Sequence, residues 1–103
     1  MNNREKALNL LGLATRAGKT VSGTDIALAK LKKGKLKCII IANNLSENSR
    51  GEIEAALKAH PTPLVDVFTE AELSQAVGKK RKVLALTDRG FAKTLLDKIK
   101  EGV

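Results

Sequence analysis

The sequence predicts an α/β fold, a three-layer α/β/α sandwich in which helices cover both faces of a four-stranded sheet. Helical and extended patterns alternate along the 103 residues in the order α-β-α-β-α-β-α-β-α. The segment KCIIIANN (residues 37–44) is a continuous apolar run, typical of a central strand that is covered on both faces. A chain of this length can bury a core of its own, so residues 1–103 are predicted to form a single domain.

The first helix is predicted over residues 3–16, where apolar residues recur at helical spacing, with Asn3 as its N-cap and Gly18 as its stop. The end of this helix overlaps GLATRAGKT (residues 12–20), a near match to the sequence motif of a phosphate-binding P-loop. The first glycine is one position too early, and a helix rather than a strand leads into the segment. We therefore interpret AGKT as a helix stop and expect no nucleotide site there.

A short extended segment, KTVSG, leads into a second helix, predicted over about 23–33. Ser22 and Asp25 have the spacing of a capping box, and Gly34 marks the C-terminal stop. The predicted buried face consists of Ala27, Leu28 and Leu31, which leaves the lysines of the segment for solvent or phosphate.

The second half of the chain continues the alternation. Ser46 is predicted to cap a helix that ends at His60, since the following proline disfavours helical backbone, and Thr69 with Glu72 forms a second capping box. The lone Cys38 excludes an internal disulfide and is predicted to be a core thiol. The predicted elements are strands over 63–68 and 83–87 and helices over 47–59, 69–77 and 88–100.

The charge of the chain is high and unevenly distributed. Nineteen basic residues against eleven acidic ones give a net charge of +8. Residues 4–37 carry +7, residues 43–77 carry −4, and the run KKRK (residues 79–82) adds +4. Two basic blocks separated by an acidic one predict a basic surface and a polyanionic partner.

Composition narrows the class of partner. The only aromatic residues are Phe68 and Phe91, too few for a platform that stacks single-stranded bases, so a structured RNA fits better and no preference for DNA is expected. No paired carboxylates, Cys/His couple or metal-ligand spacing is present, so we expect no enzymatic activity, no metal and no cofactor. Without a signal peptide or a long apolar run, the protein is expected to be cytoplasmic and to have no membrane partner.

Three segments carry a family resemblance: GLATRAGKTVSG, LKKGKLKCIIIANNLSEN and AVGKKRKVLALTDRGFAKTLL. Their joint spacing, over roughly residues 5–98, resembles the bacterial YlxQ-type branch of the ribosomal protein family of archaeal L7Ae and L30e. Members of this family bind kink-turn RNA. The resemblance implies an α/β/α sandwich with a mixed sheet, no enzymatic activity, and a role in ribonucleoprotein particles with ribosomal or kink-turn RNA as partner.

The resemblance also implies a site, formed by the start of the second helix and by the loop after the fourth. Three positions depart from the family pattern: Asp25 where members have a base-edge donor, Ile26 where they have an acidic or amide residue, and Ala29 where they have a lysine. Lys30 follows one position later, turned by about 100° around the helix. The predicted RNA-binding residues are Lys19, Ser22, Gly23, Thr24, Asp25, Ile26, Lys30, Lys33, Val77, Gly78, Lys79, Lys80 and Arg81, with Lys82 completing the loop.

Two hypotheses of function follow. The first is a non-catalytic module that binds structured RNA, with the start of the second helix facing the RNA and the lysines neutralising phosphates. The alternative is a protein-interaction adaptor on the same fold with weak, non-specific RNA affinity. In that case Ile26 and Ala29 would form a small apolar docking surface.

Overall fold

Five helices and four strands alternate along the chain in the computed structural model, which describes all 103 residues. This order confirms the predicted alternation, and the bounds differ from the predicted ones by at most two residues. The helices are α1 (Asn3–Arg16), α2 (Thr24–Lys32), α3 (Glu47–Ala59), α4 (Glu70–Val77) and α5 (Arg89–Glu101), and the strands are β1 (Thr20–Ser22), β2 (Cys38–Ala42), β3 (Leu64–Phe68) and β4 (Val83–Leu86).

The four strands form one mixed sheet in the order β1-β4-β2-β3. Strand β4 runs antiparallel to both β1 and β2, and β2 runs parallel to β3. The register pairs Thr20 with Leu86 and Ser22 with Leu84, so β1 ends where β4 begins. We call this the Gly23 end of the sheet, and the opposite end, where β4 leads into Thr87, the Thr87 end.

Helices cover both faces of the sheet, which confirms the three-layer sandwich. Alternate residues of β2 point to opposite faces: Cys38 and Ile40 join a core cluster with α1, α4 and α5, while Ile39 and Ile41 join a second cluster with α2 and α3. All five residues of β2 are buried, as predicted for a central strand. Burial raises the pKa of the Cys38 thiol to about 12, so this group is a protonated core thiol.

Two of the predicted helix caps are confirmed. The Ser46 hydroxyl accepts a hydrogen bond from the backbone N–H of Ser49 at the start of α3. Thr69 and Glu72 form the predicted capping box of α4, in which each side chain accepts from the other residue's backbone N–H. These caps satisfy donors that a helix start otherwise leaves unpaired.

Two other predicted caps are wrong. The N-cap of α1 is Asn2 rather than Asn3, and its side chain accepts from the backbone N–H of Glu5 at 2.8 Å. At α2 the N-cap is Gly23, and no side chain caps the helix. Ser22 is unable to act there because it belongs to β1, where strand pairing fixes its backbone and its hydroxyl has a different partner.

The ends of α1, β3 and α4 are joined by an ion pair. The Arg4 guanidinium donates two 2.6 Å hydrogen bonds to the Glu72 carboxylate and a third, of 2.9 Å, to the Val67 carbonyl. It also lies 5.2 Å from the centre of the Phe68 ring. The hydrogen bonds from Arg4 lower the pKa of Glu72 to about 2. This contact joins α1 to α4 and to the end of β3.

Candidate nucleic-acid interface

The start of α2 and the loop between α4 and β4 meet at the Gly23 end of the sheet. The backbone N–H of Gly23 donates to the Val83 carbonyl at 2.9 Å, which places the helix start beside the first residue of β4. The loop formed by residues 78–82 leads directly into that strand. The two segments that the sequence assigned to one site are therefore neighbours in the fold.

Arg81 connects these two segments. Its Nε donates to the Ser22 hydroxyl at 2.9 Å, across 59 residues of sequence, and its guanidinium also donates to the Lys80 carbonyl at 2.8 Å. Its backbone N–H donates to the Ser74 hydroxyl at 2.9 Å, and that hydroxyl donates to the Arg81 carbonyl at 3.3 Å. Half-buried and held at four points, Arg81 clips the loop to β1 and to α4.

Two further residues of the predicted site, Val77 and Gly78, shape the loop. Val77 is half-buried and packs against the core cluster of α1, α4 and α5. Gly78 has a φ of 79° and ends α4, with its N–H donating to the Ser74 carbonyl at 2.9 Å. Side chains other than glycine's rarely adopt this backbone conformation. The chain therefore turns sharply at Gly78 and projects the lysines that follow it.

The exposed cations of this edge are Lys79, Lys80 and Lys82. None of them forms an ion pair: the cations in the protein's salt bridges are Arg4, Arg50, Lys93 and Lys98. Three unpaired ammonium groups within four residues produce a concentrated positive potential.

The exposed face of α2 carries the three family departures. Asp25, Ile26 and Ala29 are all exposed, and the Ile26 side chain is 52% accessible, one of only three large apolar residues so exposed. Thr24 is half-buried. Since no side chain caps the helix, the N–H groups of its first turn point out of the Gly23 end without a side-chain acceptor.

Three of the predicted lysines lie away from this edge. Lys19 precedes β1 at the Thr87 end, where its carbonyl accepts from the Thr87 N–H at 3.0 Å. Lys33 follows the last residue of α2, about 15 Å along the helix axis from Gly23. Lys30 is half-buried in the last turn of α2, toward the Thr87 end. The structure thus divides the predicted set between the two ends of the sheet.

Sequence reasoning missed two features of the edge. Asn43 and Asn44 are exposed and follow β2 beside the loop, since the Ala42 N–H donates to the Lys82 carbonyl at 2.8 Å. Asparagine side chains can both donate to and accept from base edges. Polar residues directly after a buried strand were the available signal. The second feature, Ser74, anchors the Arg81 backbone and had no signal in the sequence.

Other concave regions lack a comparable arrangement. A groove of about 790 Å³ lies between α1 and α4, and its carboxylates include Glu72, which Arg4 already binds. No three His, Cys, Asp or Glu side chains come together as metal ligands. None of the five helices has the length and apolar character needed to cross a membrane.

Residues 5–96 match the model of the ribosomal protein L7Ae/L30e/S12e/Gadd45 family. The chain belongs to this family. Its named relatives are RNA-binding and ribosomal proteins, and neither group is enzymatic. The predicted family resemblance is therefore confirmed.

Individual relatives align over most of the chain. The RNA-binding protein YlxQ of Enterococcus faecium is 42% identical over 91 residues, 88% of each chain, and that of Bacillus subtilis is 34% identical over 88 residues, 84% of this chain and 88% of the other. The large ribosomal subunit protein eL30 of Sulfurisphaera tokodaii is 33% identical over 90 residues, 84% of each chain. A solved structure, the 15.5 kDa RNA-binding protein of Giardia lamblia, superimposes with a TM-score of 0.76 at 16% identity, covering 96% of this chain and 86% of the other, and shows the shared fold.

Proposed function

We propose that this protein is a non-catalytic module that binds structured RNA, of the kink-turn or ribosomal type, at the Gly23 end of its sheet. One observation carries the proposal. The Arg81 clip fixes three unpaired lysines beside the uncapped start of α2. Membership of a family of RNA-binding and ribosomal proteins supports the class of ligand.

The two parts of the edge would perform different tasks. Lys79, Lys80 and Lys82 neutralise phosphates, which supplies affinity that is independent of sequence and weakens with salt. The free N–H groups at the start of α2 offer directed donors to a phosphate or a base edge, helped by the positive end of the helix dipole. Phosphate contacts thus orient the RNA, and the helix start reads its shape.

Asp25 limits what this helix start can recognise. A carboxylate accepts hydrogen bonds from base amino groups but does not donate to the guanine acceptors beside sheared G·A pairs. Ile26 and Ala29 contribute neither a polar contact nor a charge. If each missing base contact costs about 1–3 kcal/mol, recognition here depends more on backbone shape than in family members with the full pattern. The nearby Asn43 and Asn44 provide amide donors that act in place of the lost ones.

The test is a titration of the protein with a kink-turn RNA and with a copy whose G·A pairs are replaced, each at two salt concentrations. We expect tighter binding to the intact kink-turn. Equal, strongly salt-weakened binding to both would reduce the function to backbone electrostatics and refute shape recognition. The Lys79→Ala plus Lys80→Ala variant should bind both RNAs more weakly with a flatter salt dependence, and unchanged affinity would remove the loop from the site.

A second candidate function rests on the exposed Ile26. This side chain and Ala29 share one exposed stripe of α2 by their helical spacing, and Ile26 is 52% accessible. The stripe would serve an adaptor that docks another protein. An Ile26→Asp substitution should abolish capture of that partner and leave RNA affinity nearly unchanged, whereas the reverse result would exclude the adaptor function.

A cytoplasmic location fits an RNA partner of this type, and association with the ribosome is part of the proposal. Fractionation of a cell lysate on a sucrose gradient tests both. Co-migration with ribosomal subunits that is lost in the Lys79→Ala plus Lys80→Ala variant would support them, and a protein that stays at the top of the gradient would contradict ribosome association.

A further inference from the structure

A second basic surface lies at the Thr87 end of the sheet, opposite the candidate interface. The Thr87 backbone N–H and hydroxyl donate to the Lys19 carbonyl at 3.0 and 3.2 Å, and the Lys37 N–H donates to the Leu86 carbonyl at 2.8 Å. Lys19 and Lys37 therefore flank the end of β4 on its two sides. With neighbouring strands about 4.8 Å apart, their backbones are roughly 10 Å apart.

The end of α2 adds further cations to this surface. Gly34, with a φ of 69°, closes the helix, and the Lys35 N–H donates to the Lys30 carbonyl at 3.0 Å. This turn returns the chain toward β2. It keeps the exposed Lys32, Lys33 and Lys35 at the same end of the sheet as Arg89, the exposed first residue of α5. We call the whole set the Lys37 surface: Lys19, Lys32, Lys33, Lys35, Lys37 and Arg89.

The cations of the Lys37 surface are not paired with carboxylates. None of its six cations takes part in a salt bridge. The carboxylate nearest in the chain, Asp88, accepts from the Phe91 N–H as the cap of α5. Like charges held this close repel one another, and a polyanion bound across them relieves that repulsion.

The make-up of the surface favours one class of polyanion. The three exposed large apolar residues of the protein are Met1, Leu13 and Ile26, and none belongs to the Lys37 surface. The surface also lacks an aromatic side chain on which a single-stranded base could stack. Cations without apolar anchors fit the phosphate backbone of a nucleic acid duplex better than a protein interface or a lipid surface.

We propose that the Lys37 surface binds the backbone of a second RNA duplex, so that the protein holds two RNA segments together. The inference rests on the proposed function, because the first segment occupies the Gly23 end. Strand β4 and helix α2, about 13 and 14 Å long, separate the two surfaces, so each has its own approach from solvent. This second contact involves only the phosphate backbone, so its affinity is independent of the RNA sequence.

The test uses a preformed complex of the protein with an unlabelled kink-turn RNA, to which a fluorescently labelled plain RNA duplex is added. We expect the duplex to bind this complex. In the Lys35→Gln plus Lys37→Gln variant the second event should weaken roughly tenfold and lose about 1.5 units of salt slope, at about 0.7–0.9 per phosphate contact. The affinity for the kink-turn RNA should change much less.

The matched control is Lys6→Gln plus Lys100→Gln, which removes the same charge from two exposed, unpaired lysines elsewhere on the protein. It should leave both events unchanged, and thermal unfolding confirms that each variant is folded. Failure of the duplex to bind the complex, or equal weakening in both variants, would overturn the proposal. Displacement of the duplex by polyglutamate at equal charge concentration would reassign the surface to an acidic protein.

Failure of the proposed function has a separate signature. If the kink-turn RNA does not bind, the labelled duplex is titrated against the free protein. A loss confined to the Lys35→Gln plus Lys37→Gln variant would then uphold the Lys37 surface alone. Binding that is insensitive to this variant would overturn the surface as well.

Discussion

The clip between Ser22 and Arg81 makes a prediction that separates positioning from direct RNA contact. In Ser22→Ala the 2.9 Å hydrogen bond from Arg81 is lost, while the protein keeps all of its charges. A hydrogen bond to a charged group contributes about 1.5–3 kcal/mol, and half-burial together with the remaining bonds of Arg81 to Ser74 and Lys80 reduces the loss to about 1 kcal/mol.

A loss of about 1 kcal/mol from the loop conformation that binds RNA should weaken RNA binding by up to about fivefold, because a smaller fraction of the free protein then has the competent loop. The salt slope should stay unchanged, because no phosphate contact is removed. Arg81→Lys should behave in the same way, since lysine keeps the charge but lacks the planar guanidinium. In the free protein, hydrogen exchange of the loop amides should accelerate in both variants.

The control for this experiment is Ser49→Ala, a serine-to-alanine change in the first turn of α3, whose hydroxyl has no part in the Arg81 contacts and which should alter neither affinity nor exchange. The double variant Ser22→Ala plus Arg81→Lys should be little worse than either single variant, because both break the same bond. If Ser22→Ala leaves RNA affinity and loop exchange unchanged, or if it lowers the salt slope, the positioning role of Arg81 is wrong.

Three further predictions concern stability. The lowered pKa of Glu72, about 2 against an ordinary 4.5, means that its pairing with Arg4 is fully stabilising above about pH 4.5 and is lost as the pH falls toward 2. Glu72→Gln should therefore lower the free energy of unfolding by about 1–3 kcal/mol at neutral pH. In urea unfolding, the variant's stability should also fall less than that of the wild type between about pH 4.5 and about pH 2, and an equal fall would contradict this. Gly12→Ala should lower the free energy of unfolding by about 1–3 kcal/mol, since the added Cβ would lie 2.8 Å from the Ala76 carbonyl oxygen. A rise in melting temperature would contradict this, because it would mean that α1 and α4 move apart at little energetic cost. Gly51→Ala, in open space on α3, should instead stabilise by about 0.5–1 kcal/mol, and a loss would refute the propensity argument.

Local patterns in the sequence were enough to predict most of the fold. The apolar run of β2 and the caps at Ser46 and Thr69 depend on residues within a few positions of one another, and the structure has them where the patterns place them. The predicted cap at Ser22 failed for the opposite reason. Whether that serine ends a strand or caps a helix depends on the pairing of β1 with β4, more than sixty residues away.

The candidate site was less accessible to sequence reasoning, because charge blocks carry no information about which end of a sheet they occupy. Lys19 lies only four residues from Gly23, yet an extended chain takes those residues from one end of the sheet to the other. The clip by Arg81 was likewise hidden, since its partner Ser22 is 59 residues away. The family resemblance located the edge, and the strand register showed which lysines share it.

The most direct test of the central claim is a titration of isotope-labelled protein with kink-turn RNA, followed by backbone amide NMR. We predict that the first equivalent of RNA shifts the amides of residues 23–26 and 78–82 most strongly, with Asn43 and Asn44 beside them. The Lys37 surface should respond only when a second RNA duplex is added. Changes concentrated in the groove between α1 and α4 or on α3, with residues 23–26 and 78–82 unmoved, would contradict the assignment of RNA to the Gly23 end.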